Sequence, residues 1–425
     1  MKPAKPASAT MNEQTFVPSS MRALYYTLHL PTPETATEES GKALLPGPDG
    51  LILDTGFPTP QPAAHEYLLK VQTAAFCHDE QRLARTLNPT KTTPQIPLHS
   101  LCGTVISTPT ADHERQSGPR FKIGDIVFGL ISHFRDGGAA DYTLATEDEL
   151  AFKPGNISAS EAASVALPAL TAWHALFRYA GLDPDATANG ISRDKNGNSN
   201  HGNRDGKKWN GNGYGLFRKG SGNGNGNGHG KKVPPLRVLV TNARDCEVGR
   251  ITVQLLRADK LFPVRPWICV SCTATEADIM RREWDVDEVL VIPHLPTRDE
   301  CDLAGTFRQR RWEPVDVVLD CEGGEVYRQA HEAGVVRNYG AVLTAVDSRP
   351  AQQAASPDRG LHSKLVAVAP DGASMMRIGG LVEAGKVLGV PETVVDLINS
   401  ADLLASGAAA TAGSRRGGMV VVRVN

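Results

Sequence analysis

Residues 237 to 259 read RVLVTNARDCEVGRITVQLLRAD. An apolar strand, RVLV, gives way to a polar turn and then to the helix EVGRITVQLLRAD, the start of a strand-helix-strand unit. The pattern continues with PWICVSC (266–272), the helix ATEADIMRREW, DEVLVI (287–292), VDVVLDC (315–321) and YGAVLTAV (339–346). SKLVAVAP (363–370) adds a strand and ASMMRIGGLVEAGK (373–386) a helix. Apolar runs that alternate with helices need a parallel sheet covered on both faces, so this half predicts a doubly wound α/β domain.

Upstream the period is shorter. MRALYYTL (21–28), EYLLKVQTAAF (66–76), LCGTVIST (101–108), FKIGDIVFGL (121–130) and AADYTLAT (139–146) are short alternating strands with turns between them, a β-rich domain. SEAASVALPALTAWHALFRYAG (160–181) predicts a buried helix that closes at Gly181. The last strand, GGMVVVRV (417–424), is expected to return to the first domain.

The chain has 425 residues, enough for two or three domains, with 40% hydrophobic and 22% charged residues, a globular and soluble balance. The net charge of −2 offers no global field for nucleic acid or anionic membrane. Residues 189 to 232 hold thirteen Gly and ten Asn in 44 positions and carry a local +7. That composition has too little apolar surface to offset ordering entropy, so a disordered, solvated insertion is expected. Seven scattered cysteines and an N-terminal stretch of Pro, Ala, Ser and Thr without an apolar core argue against a disulfide framework or signal peptide. A cytoplasmic protein with a disordered tail over 1–20 is expected. No run approaches the length of a membrane span.

In an open α/β sheet the first strand-to-helix turn meets a pyrophosphate with backbone N–H groups and a helix N-terminus. Here, spaced as a variant G-x-x-G-x-x-G, that turn carries Ala243, Cys246 and Gly249, so only the last glycine survives. Asp245 and Glu247 bring negative charge that would repel a pyrophosphate, against Arg244. After the second strand, Cys269 to Thr273 offers no acidic side chain to grip the ribose hydroxyls of NAD, which points to NADP (NADPH). Arg281 and Arg282 are candidate phosphate partners, or members of a solvated helix face. Cys269-x-x-Cys272 has no partner pair, and strand residues three apart face opposite sides, so these two are read as filling the sheet.

With RFKIGDIVFGL, GGAADYTLATEDELAFKPGNISASEAASVALPALTAWHALF, RVLVTN with EVG and VQLL, VDEVL, VDVVLDCEGG and GGMVVVRV in this order, the chain resembles the medium-chain dehydrogenase/reductases. The likeness is to the zinc-independent quinone oxidoreductase and enoyl reductase-like branch, fungal type. It implies a GroES-like substrate domain over 21–150 and 387–425, and a Rossmann cofactor domain over 151–386 interrupted by the 189–232 insertion. The resemblance implies hydride transfer in the cleft between them. It places Thr171 beside the nicotinamide, Val248 and Gly249 at the pyrophosphate, and Ser271 and Thr273 near the adenosine ribose. The family's paired glycines after the fourth strand match Gly323 and Gly324. At the family's zinc positions stand Cys77 and His99, but the third falls on Leu167, and the usual acidic neighbour of the histidine is Ser100. A catalytic zinc needs three protein ligands, so no metal site is assigned.

In a zinc-free site the cofactor carries the hydride and the protein positions it. Cys77, His78 and His99 are the catalytic candidates, with a histidine donating a proton to the reduced product; His174 is read as packing. The expected activity is NADPH-dependent reduction of an activated double bond, quinone or ketone of a small molecule, with secondary metabolism as one setting. The alternatives are a non-catalytic scaffold that has lost its cofactor, or a zinc-dependent alcohol dehydrogenase. No nucleic-acid or membrane partner is expected; dimers are common in the resembled family, so a homodimer is one candidate assembly, which the sequence does not fix.

Overall fold

A computed structural model describes residues 16–26, 51–76, 93–110, 118–184, 234–346, 359–389, 391–405 and 419–425. The 189–232 insertion, Cys77, His78 and the tail up to residue 15 lie outside the described residues.

The second half builds one six-stranded sheet from β8 (Arg237–Val240), β9 (Trp267–Cys272), β10 (Glu288–Val291), β11 (Val315–Asp320), β12 (Val336–Thr344) and β13 (His362–Leu365). All five pairings are parallel, in the order β10-β9-β8-β11-β12-β13. Numbered within this sheet the order is 3-2-1-4-5-6, the doubly wound Rossmann arrangement. Strand order reverses between β8 and β11, the point at which doubly wound sheets take ligands beyond their strands' C-terminal ends.

The first half contributes β3 (Tyr67–Phe76), β4 (Ser100–Ser107), β5 (Ile126–Leu130), β6 (Tyr142–Ala145) and β7 (Leu150–Phe152). The chain's end adds β14 (Pro391–Asp396) and β15 (Met419–Arg423), giving the order β14-β15-β3-β4-β5-β7 with β6 also on β3. β15 runs antiparallel to β3, so the C-terminal strand does return to the first sheet. β1 (Ser20–Tyr26) pairs with β2 (Leu51–Pro58). Arg22 fastens this corner, its guanidinium 2.7 Å from Asp141 and donating to the Val424 carbonyl at 2.8 Å.

Between the sheets runs α1 (Ala159–Trp173). Its start is a capping box: Ser158 Oγ accepts from the Glu161 N–H at 3.1 Å, and Glu161 accepts from the Ser158 N–H at 2.8 Å. The helix packs on β3, β4 and β5 and, on other faces, on α2 (Glu247–Arg257) and α6 (Gly372–Glu383). One apolar cluster therefore joins Ala75, Cys102 and Phe128 of the first sheet to Val238, Val240 and Val270 of the second.

The Ser100 hydroxyl enters the helix ladder, donating to the Ala163 carbonyl at 2.7 Å and accepting from the Leu167 N–H at 3.2 Å. These are the two groups that the helix's own i to i−4 bond joins, one residue before Pro168, which has no N–H to donate. After Trp173 the helix widens into a π-helical segment, His174–Tyr179. It closes at Gly181, whose φ of 68° a side chain would resist. The expected single helix is thus an α-helix with a π-helical end.

β2, β7 and β14 and three short helices, α4 (Leu303–Arg310), α5 (Gly324–Ala330) and α7 (Leu397–Ala405), lie outside the sequence-based expectation. α3 (Ala277–Glu283) completes the helices. The strands at 121–130 and 363–370 shrink to Ile126–Leu130 and His362–Leu365. In the first, Lys122 and Asp125 are bonded to each other in a turn, so the strand begins at Ile126, with Gly124 and Asp125 still bonded to Val105 of β4.

Replacing Ser100 by Ala leaves the Ala163 carbonyl and Leu167 N–H without their bridging hydroxyl in a buried interface. A loss of about 1–3 kcal/mol is expected in urea unfolding. An unchanged midpoint would show that the helix's own bond suffices there.

Candidate dinucleotide site

The turn after β8 is pinned from both neighbouring strands. Asn242 takes a left-handed φ of 46°, which asparagine tolerates, and its N–H donates to Ser271 Oγ at 2.8 Å. The Ala243 N–H donates to the Ser271 carbonyl at 3.3 Å, and Asn242 Nδ2 to the Cys321 carbonyl at 3.4 Å. Gly249, in the first turn of α2, lies against this turn: a Cβ there would stand 2.8 Å from Ala243 Cα. The surviving glycine is thus required by close packing. Neither Ala243 nor Cys246 needs a positive φ, so their side chains are tolerated without backbone strain.

Beneath the turn, Asp320 at the end of β11 has no exposed surface. It accepts from Thr241 Oγ1 at 3.0 Å, Thr344 Oγ1 at 2.8 Å, the Gly323 N–H at 3.0 Å and the Glu322 N–H at 3.2 Å. Thr241 Oγ1 in turn accepts from the Cys321 N–H at 2.9 Å. One carboxylate so ties the ends of β8, β11 and β12 together. Burial pushes its carboxyl above the usual range, against the pull of its donors. Gly323 and Gly324 follow with φ of 81° and 53°, and open space surrounds the position of a Cβ on Gly324. Paired glycines here let a ligand approach the backbone closely.

The other side of the reversal is acidic. Glu276 turns back beneath the end of β9, accepting from the Thr273 N–H at 3.1 Å and Thr273 Oγ1 at 2.8 Å. The Arg244 guanidinium is 3.7 Å from it. Asp245 lies beside Glu276, and burial, the Glu276 charge and a hydrogen bond to Glu276 push its carboxyl up to about 6. An acidic side chain therefore does stand at the end of the second strand, contrary to the sequence expectation. It comes from four residues past β9, brought back by a turn.

The expected cofactor residues divide. Ala243, Cys246, Val248, Gly249 and Gly323 gather at the reversal around the ends of β8 and β11. Ser271, 1% exposed, holds the turn, and the Thr273 hydroxyl is spent on Glu276, so both are supports for the loop. The Thr171 hydroxyl donates to the Leu167 carbonyl of its own helix at 2.8 Å. Arg281 pairs with Asp278 at 3.2 Å and Arg282 donates to the Asp278 carbonyl, on an exposed helix face.

His99 is buried, its ring stacked on His133 at 4.3 Å, and its Nε2–H donates to the Arg135 carbonyl at 3.1 Å. His133 escaped the sequence reading, where SHFRDGG offered only an isolated histidine in a loop. Leu167 has no atom to offer a metal, and among the described residues no group of three or more His, Cys, Asp or Glu is placed to hold one. His174 does more than pack: its Nε2 meets Asp371, the N-cap of α6, at 3.4 Å. That contact, with two bonds from Ser374, holds the Asp371 carboxyl well below the usual range.

This architecture joins a mostly antiparallel sheet to a doubly wound, Rossmann-type parallel sheet. No family model matches the chain. It is 27% identical over 343 residues, 80% of this chain and 84% of the relative, to "Probable zinc-binding oxidoreductase, mitochondrial" of Arthroderma benhamiae. It is 33% identical over 132 residues to "Quinone-oxidoreductase homolog, chloroplastic" of Spinacia oleracea, a match spanning 30% of this chain and 38% of that protein. The structure of the quinone oxidoreductase from Coxiella burnetii superposes with a TM-score of 0.63 at 16% identity, covering 96% of this chain and all of that one. The shared fold and these relatives make the chain similar to the medium-chain dehydrogenase/reductases.

The Asp245 carboxyl binds its proton more tightly in the native state than in the unfolded chain, whose value is near 3.8. Its favourable contribution is full below about pH 4 and is lost as pH rises through about 6. Asp245→Asn is therefore expected to melt above wild type at pH 8, with the gap closing by pH 4. A gap independent of pH would show that the acidic corner is solvated and uncoupled.

Proposed function

We propose that this protein is an NAD(P)H-dependent oxidoreductase that transfers a hydride to an electron-poor carbon of a small molecule: an activated double bond, a quinone or a ketone. The observation that carries the reading is the strand-order reversal between β8 and β11, with Gly249 packed against Ala243 and open space at Gly324. Cys246, the N-cap of α2, supplies no side-chain acceptor to the first-turn N–H groups, which suits an anionic pyrophosphate there. A bound nicotinamide supplies the hydride. The chain's own task is to hold the dinucleotide, exclude water and steady the charge that develops on the substrate. Cys77, His78 and His99 are kept as candidates for proton donation, His99 with its Nε2–H directed at Arg135.

The sequence reading favoured NADPH because no acid was visible after β9. Asp245 and Glu276 now favour a ribose with a free 2′-hydroxyl over a 2′-phosphate, so the proposal is NADH before NADPH. A small-molecule substrate, a cytoplasmic location and a homodimer belong to the same proposal. The relatives named above include mitochondrial and chloroplastic proteins, and among the described residues no helix is long and apolar enough to cross a membrane.

The test is a titration of purified protein with NADH and NADPH, followed by Trp fluorescence and melting temperature, then turnover of enones, quinones and ketones. Saturable stabilisation, stronger with NADH, and oxidation of the cofactor by one substrate class are expected. Stronger stabilisation by NADPH would overturn the cofactor assignment alone. No response to either nucleotide at millimolar concentration would sink the enzyme reading and leave the acidic corner as the mark of a scaffold that has lost its cofactor.

A further inference from the structure

On the far side of β12 from the strand-order reversal, side chains that the dinucleotide reading does not use meet at one oxygen. Ser363 lies on β13, the last strand of the six-stranded sheet, and is partly exposed. Its Oγ is 2.9 Å from His331 Nε2 and 2.9 Å from the Tyr327 hydroxyl. His331 Nδ1 is 2.8 Å from the Tyr327 carbonyl, an oxygen that can only accept, so Nδ1 carries the ring proton. Burial, against its backbone partners and the Asp320 charge and together with the Arg359 charge, holds the ring below the ordinary histidine value of 6.5. The neutral ring therefore presents a bare lone pair at Nε2. Proton directions follow: the Ser363 O–H donates to Nε2, and the Tyr327 O–H donates to Ser363 Oγ. The imidazole is fixed in place. It stands edge-on to the Tyr327 ring at 4.8 Å and is 6% exposed. The His331 carbonyl accepts from the Arg359 guanidinium, which also donates to the Val336 carbonyl and to Asn338 Oδ1.

A hydroxyl within hydrogen-bond reach of a base that a third group orients is the arrangement that activates a serine. We propose that Ser363 is a nucleophile, with His331 as its base, that takes an acyl group from a small carboxylic ester and passes it to water. Ser363 Oγ attacks the ester carbonyl carbon; the O–C bond forms as His331 Nε2 takes the hydroxyl proton. His331 returns that proton to the leaving alcohol's oxygen as its C–O bond breaks, which leaves an acyl-serine. Water then attacks the acyl carbon and gives a proton to Nε2; the bond to Ser363 Oγ breaks, the serine recovers its proton and the carboxylic acid leaves. Nothing is oxidised or reduced, and no nucleotide takes part. Tyr327 supplies the donor: its hydroxyl, 2.9 Å from the attacking oxygen, is placed to bond the oxyanion that forms beside it. A carbonyl holds Nδ1 where a carboxylate would make a stronger base. Aryl esters with a good leaving group and a short acyl chain are therefore the substrates expected to react.

The experiment mixes the full chain with 4-nitrophenyl acetate, follows release of 4-nitrophenolate and maps the acyl group by peptide mass spectrometry; a fluorophosphonate probe is mapped in the same way. Acetyl and phosphonyl adducts on Ser363 are expected, with turnover that added NADH does not change. Ser363→Ala abolishes both adduct and turnover, and His331→Gln slows acylation about a hundredfold or more. The rate rises with pH to a plateau, with its midpoint below 6.5, because the neutral form of the buried His331 is the base. A flat profile, or a midpoint at or above 6.5, overturns His331 as the base. Adducts confined to lysine, cysteine or other serine residues, or a rate unchanged in Ser363→Ala, overturn the nucleophile. The adduct map on the unaltered chain decides the assignment whether or not the variants fold.

Discussion

The carboxylate of Asp320, sealed from solvent at the end of β11, fixes the position of everything at the strand-order reversal. A buried carboxylate is costly unless its lone pairs are filled, and here two hydroxyls and two backbone N–H groups fill them. Those donors are Thr241 just past β8, Thr344 at the end of β12, and Glu322 and Gly323 in the loop after β11. The strand ends therefore cannot shift independently, and the turn from Asn242 to Gly249 rests on a rigid floor. Fixing Gly323 in a conformation reserved for glycine is part of the same arrangement, because its N–H must point back at Asp320.

Above that floor the turn departs from the glycine-rich pattern without losing its shape. Positions where glycine would lend freedom are held by Ala243 and Cys246 in ordinary backbone conformations, and only Gly249 sits where a Cβ has no room. What changes is chemistry. Cys246 stands at the N-cap of α2, and Asp245 with Glu276 brings a carboxyl pair beside the turn.

The fold was legible because its main strands are long apolar runs separated by helical segments, from Val238 to Val342, and because the helix from Ala159 carries a capping box and ends near Gly181. Elements with weak patterns were not: β2 contains Asp54, Gly56 and Pro58 and is largely solvated, and β7 has three residues. At the site, the residues of one contiguous turn could be read from spacing. Contacts made by chain return could not. Asp320 looked like the last residue of a strand, Glu276 like part of a helix start, and Ser100 like a substitution at a family position. Each acquires its role only when a distant segment arrives: Thr241 and Thr344, Asp245, and the Ala163–Leu167 turn.

The central claim is that a nicotinamide dinucleotide seats at the β8/β11 reversal, and amide hydrogen exchange with and without NADH addresses it most directly. Binding there is predicted to slow exchange in residues 241–249 and 321–326 together, the two loops on either side of the reversal, while the seven-stranded sheet's outer strands are unchanged. Slowing confined to other segments, with these two loops unaffected under saturating NADH, would contradict the account.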